Sequence, residues 1–119
     1  MSNNNSNLII YQKYTDLIYY VNDILRKYPK CEQFALVKEI KTSSYTGLRY
    51  IIYAIKSYNK LDKIKYLNEL DIQLKLLKIQ VRISYKYKYI SLQNYQVWSN
   101  HITDICNMLG GWISSCQKK

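Results

Sequence analysis

A single proline, Pro29, interrupts a chain of 119 residues that is otherwise patterned for helix almost from end to end. Three glycines are the other strong breakers, too few turn signals for a many-stranded β fold. Before the proline, Ile10, Tyr14, Leu17, Val21, Ile24 and Leu25 recur at helical spacing, as one buried helix face requires. Asn7 is placed to cap that helix, since its side chain can accept from a free N–H of the first turn. The residue before a proline is pushed out of the helical region, whereas proline itself suits the first turn of a new helix. Glu32 then falls beside the positive end of that helix's dipole. Pro29 therefore marks a corner.

The second helix is expected over about 30–58, with Phe34, Val37, Ser44, Leu48, Ile51 and Ile55 on its inner face. Gly47 lies in its middle, where glycine costs up to about 1 kcal/mol relative to alanine, so a neighbouring helix should approach closely there. "SYNKLDK" makes the second corner, with Asp62 as the cap of a third helix over 63–87. "KYIS" makes the third corner, with Ser91 capping a fourth helix over 91–115. Three short connections between long amphipathic helices specify an all-α, up-down-up-down antiparallel four-helix bundle. The expected organisation is a polar tail at 1–7, one bundle domain at 8–115 and a short tail at 116–119. Bundles of this size bury roughly two thirds of the surface of the unfolded chain.

The third helix carries more than its own bundle needs. Leu67, Leu70, Leu74, Leu77 and Val81 form one apolar stripe, and Ile72, Leu76, Ile79 and Ile83 form a second on nearly the opposite side. Lys75, Lys78, Arg82 and Lys86 run between them on one flank; Glu69, Gln73, Gln80 and Ser84 run on the other. The second stripe admits two readings. It is either a self-association surface, as exposed contiguous apolar patches usually are, or one more wall of a broad core. Self-association would gather the cationic rows of several copies around one axis. The second helix adds Lys38, Arg49 and Lys56 on one side, a spacing that suits either a solvated face or contact with a phosphate backbone.

The formal net charge is +10, and a charge of that size points to an anionic partner. Lys, Asn, Ile and Tyr are also the residues that an AT-rich coding sequence over-represents, so charge position informs more than charge total. Phosphate contacts from lysine would be blind to base sequence. Tyr50, Tyr53, Tyr85, Tyr87 and Tyr89 either stack on unpaired bases or fill the bundle with their hydroxyls reaching water.

Catalysis finds no support. His101 is the single histidine and has no nucleophile or orienting acid at a useful spacing. The eight acids are scattered, without the Glu-x-x-His pairs of a bundle metal site. No glycine-rich phosphate loop is present. Neither cofactor nor metal is expected. Cys31, Cys106 and Cys116 are widely spaced and form no CxxC pair, which reads as reduced thiols in a cytoplasmic protein. The polar start "MSNNNSN" lacks the features of a signal peptide. The lysines are not gathered opposite a Trp- or Phe-rich face, so membrane docking is not expected.

Two segments carry a resemblance. "YPKCEQFALVKEI" fits a corner pattern of aromatic, Pro, Lys or Arg, any residue, Glu, then an aromatic, a Leu and an Ile, through Tyr28, Pro29, Lys30, Glu32, Phe34, Leu36 and Ile40. "MLGGWI", Met108 to Ile113, is the second and more specific match, and the opening "IYQKYTDLI" agrees as well. Together they resemble the four-helix-bundle family of Avd, the accessory variability protein of diversity-generating retroelements, which also holds the ribosomal-RNA intervening-sequence bundle proteins. Cys31 and Gln33 stand where Avd-like sequences favour serine and arginine. "SSYTGLRYI" replaces the "SIPSNIAEG" type of segment found in the intervening-sequence proteins, so the likeness lies nearer to Avd. The resemblance implies a basic, ring-shaped homo-oligomer, a pentamer in Avd, that binds a reverse transcriptase and its template RNA and does no chemistry itself. A structural or protein-interaction bundle without a nucleic-acid role is the alternative expectation.

Overall fold

The computed structural model describes the backbone of residues 2–118 and the side chains from Leu8 onward. The helix expected to start at about residue 8, behind a cap at Asn7, begins at Ser2 instead, so Asn7 lies within the first helix rather than at its end. Met1 and Lys119 lie outside the described residues. Four helices follow one another: α1 Ser2–Leu25, α2 Leu36–Lys56, α3 Lys60–Lys86 and α4 Leu92–Gln117. Each packs against two others in the cyclic order α1, α2, α3, α4, and among the described residues the diagonal pairs make no close backbone approach. The bundle measures 48 × 25 × 19 Å.

The core is the set of inward stripes. Ile10, Tyr14, Leu17, Val21, Ile24 and Leu25 of α1 are all buried, as their spacing predicts. Leu67, Leu70, Leu74, Leu77 and Val81 of α3 have no exposed surface, and α4 adds Trp98, Ile102, Ile105 and Leu109. Gly47 marks the close approach expected of it. A Cβ there would lie 2.8 Å from Cζ of Tyr14 and 3.3 Å from Cδ1 of Leu70. The Tyr14 hydroxyl crosses in that space and donates to the Ser44 carbonyl at 2.7 Å.

The first corner is longer than the sequence suggests. After Pro29 the chain makes a 3-10 turn at Lys30–Glu32, and α2 starts only at Leu36, behind a non-helical Ala35 (φ −120°). The side chains of the turn explain the delay. Gln33 Nε2 donates to the carbonyls of Leu25 and Tyr28 at 3.3 and 3.2 Å, serving the end of α1. Glu32 Oε1 accepts from the Leu36 N–H at 3.3 Å, serving the start of α2. Its Oε2 accepts from the Tyr89 hydroxyl at 2.6 Å, which ties this corner to the third. Phe34, expected on the inner face, is thrown outward and is 91 % exposed.

Two further expectations are corrected. Asn59, not Asp62, caps α3: its Oδ1 accepts from the N–H groups of Leu61 and Asp62 at 2.7 and 3.4 Å. Gln80 and Ser84, expected on a polar flank, are buried, Gln80 facing α2. Gln80 Nε2 donates to Ser43 Oγ at 3.2 Å, and Ser84 Oγ donates to the Gln80 carbonyl at 2.9 Å. Small residues on α2, Ser43, Ser44 and Gly47, draw α3 close enough to enclose Gln80. The third corner closes as a Schellman motif, with Tyr89 N–H donating to the Ser84 carbonyl and Lys88 N–H to that of Tyr85, both at 2.9 Å. Lys88 takes the left-handed position, φ 64°. Ser91 then caps α4 through the Asn94 N–H at 3.1 Å, as its place in the sequence predicts.

Candidate nucleic-acid interface

At about 100° per residue, α3 can turn only part of its circumference to the core. With Leu67, Leu70, Leu74, Leu77 and Val81 inward, Ile72, Leu76, Ile79 and Ile83 face out. They are 54, 39, 57 and 38 % exposed in the single chain. This stripe is therefore not a wall of the chain's own core. Lys75, Lys78, Arg82 and Lys86 stand beside it, all exposed, on the flank towards α4. There the half-buried Cys106 thiol is close enough to feel Lys78 and Lys75, whose charges lower a pKa that burial raises.

The row is not wholly free of acid. Lys75 Nζ sits 2.8 Å from Asp71 one turn earlier, and its pKa is raised mainly by that hydrogen bond. Both partners are open to water, so the pair adds little to stability. Among the described residues Lys78, Arg82 and Lys86 make no ion pair.

Lys38 and Arg49 of α2 lie apart from this row. With Lys41 they line an open groove of about 490 Å³, together with Gln33, Phe34, Val37, Thr42, Tyr45 and Thr46. Lys56, also exposed, is outside it. The sequence reading missed Lys41, although it stands three residues after Lys38, and it placed Phe34 inside. A second groove, of the same volume, opens where α3 hands over to α4, lined by Arg82, Tyr85, Lys86, Lys88, Ile90 and Tyr95. Neither groove has an acidic residue in its lining. The structure thus brings Arg82 and Lys86 together with Lys88 and Tyr95, two residues that helical spacing along α3 could not have joined to them.

The five tyrosines divide. Tyr50 and Tyr53 pack on Tyr66 of α3, at ring-centroid distances of 6.3 and 5.3 Å. Tyr89 is committed to Glu32, and this hydrogen bond pushes its phenol up to about 12. Tyr87 is exposed and stacks loosely on Tyr89 at 6.0 Å. Tyr85 stacks closely on Tyr95, 4.7 Å between centroids and 14° between planes, with 39 % of its surface open.

His101 packs its ring 5.4 Å from that of Tyr20, a packing contact between α4 and α1. Among the described residues no group of three or more His, Cys, Asp or Glu could hold a metal ion. Cys31, Cys106 and Cys116 are unpaired. No described helix is long and apolar enough to cross a membrane.

Comparison with known proteins follows the same lines. A family model described as bAvd-like matches residues 8–116. The fold is similar to that of a crystal structure from Bacteroides thetaiotaomicron VPI-5482, a protein with unknown function from the S23 ribosomal protein family. The two share 19 % identity with a TM-score of 0.82, over 92 % of this chain and 98 % of the other. At that identity the likeness establishes the fold alone. No curated protein matches the chain.

Proposed function

The chain belongs to the bAvd-like family, and from that premise we propose that it is a non-catalytic, basic accessory protein of a diversity-generating retroelement. In this reading it binds template RNA and a reverse transcriptase and supports mutagenic cDNA synthesis. It works as a ring-shaped homo-oligomer, with Ile72, Leu76, Ile79 and Ile83 against a neighbouring copy. The observation that carries the reading is the outer side of α3, where an exposed apolar stripe runs beside Lys75, Lys78, Arg82 and Lys86. Burying the stripe removes apolar surface from water, worth about 25 cal/mol per Å². It also sets several cationic rows side by side, which strengthens attraction for a polyanion. Lys38, Arg49 and Lys56 add a second, weaker contact line from α2.

The deciding measurement is RNA binding across a salt series. Affinity should fall steeply with salt, because each phosphate contact releases counterions. Reversing charge at Lys75, Lys78 and Arg82 together should weaken binding at least ten-fold and flatten the salt dependence. Unchanged affinity at low salt removes the assignment. A wild-type protein that binds no RNA favours the second reading, a protein-interaction bundle, for which the exposed Ile72–Ile83 stripe would be the contact surface.

A further inference from the structure

The Arg82–Lys86 end of the cationic row opens into the groove between α3 and α4. Tyr85 comes from α3 and Tyr95 from α4, so each ring is held by a separate helix, and the two already lie nearly parallel. Tyr85 keeps more than a third of its surface open. A third flat ring can extend this stack without ordering a mobile side chain. Lys88 projects from the closed turn of the Schellman motif, which puts a third cation at the groove on a fixed backbone.

We propose that this groove takes an unpaired base of single-stranded RNA. The base stacks on the Tyr85–Tyr95 pair, while Arg82, Lys86 and Lys88 hold the phosphates on either side of it. The inference rests on the nucleic-acid reading above and deepens it by naming the form of the ligand. Base-paired nucleotides present no free ring face, so stacking selects single strands. Cations alone would take duplex and single strand alike. An acidic peptide would pair with the cations but leave the aromatic platform unused.

The test uses a short single-stranded RNA containing 2-aminopurine, and the same sequence as a duplex. Fluorescence quenching on binding to the full chain is expected for the single strand. Tyr85→Leu should weaken single-strand binding about ten-fold while leaving duplex binding and the salt slope unchanged. Tyr85→Phe keeps the ring and should bind like the wild type. Lys88→Gly keeps the left-handed backbone without strain and should reduce the single-strand salt slope by about 0.7. Equal loss for both RNA forms, no loss on Tyr85→Leu, or equally effective competition by polyglutamate would overturn the proposal. Binding of neither RNA by the wild type would defeat the nucleic-acid reading and this inference together. Salt-sensitive binding of both, indifferent to Tyr85, would defeat this inference alone.

Discussion

Tyr14 reaches the Ser44 carbonyl through space that position 47 leaves free, so the two residues constrain one another. In Gly47→Ala the helix propensity gain of about 1 kcal/mol opposes displacement of a fully buried ring. Overpacking of this kind costs about 1–3 kcal/mol, and the displaced hydroxyl forfeits about 1 kcal/mol more. Urea unfolding should therefore show a net loss of about 1–3 kcal/mol; a gain would mean that Tyr14 moves aside freely. Tyr89 offers a test by pH. Its phenol rises from 10.0 to about 12 because its proton is held by Glu32. A raised folded pKa gives stability that is complete below pH 10 and is lost as pH climbs from about 10 to about 12. Burial raises Tyr28 over a similar window, to about 12. Tyr89→Phe should remove part of the alkaline destabilisation followed by circular dichroism, leaving the shares of Tyr28, Tyr14 and Tyr20, whose phenols burial also raises. An unchanged profile would mean that the Glu32 bond does not persist in solution.

At the scale of elements, the stripes of α1 and α3 were legible because each helix needs one continuous apolar face, and those residues are the ones buried. On α2 only Val37, Ser44 and Ile51 of the expected face are buried, while Phe34 and Ile55 are exposed. The ends of helices were less legible. Both Asn59 and Asp62 are good capping types, and which one acts depends on where the chain leaves α2, a tertiary matter. The start of α2 was misread because Glu32 and Gln33 look like first-turn helical residues. Their side chains instead serve two different helices, which requires a break between them. Half of the candidate site could be read from the spacing of α3. Its partners at the groove, Lys88 and Tyr95, come from the next corner and the next helix, so a one-helix pattern could not supply them. The two exposed glycines of α4 give this scale its prediction. A Cβ at Gly110 meets nothing within 4 Å, so Gly110→Ala should stabilise the chain by up to about 1 kcal/mol, raising the Tm by a few degrees. A loss instead would place another backbone against that face.

On the scale of the whole molecule, the exposed stripe of α3 predicts assembly. Sedimentation of the wild type at micromolar concentration should show an oligomer. Ile72→Asp with Ile79→Asp should give a folded monomer, because both positions are exposed in the single chain and a charge there costs the bundle little. A wild-type monomer would contradict the proposed assembly. The length of the cationic row sets a further condition. From Lys75 to Lys86 the helix rises about 17 Å, a length that only a few phosphates of one strand can line. One subunit has a short footprint and correspondingly modest grip. Tight holding must come from avidity, so affinity should climb stepwise as an oligonucleotide grows long enough to touch a second and then a third subunit.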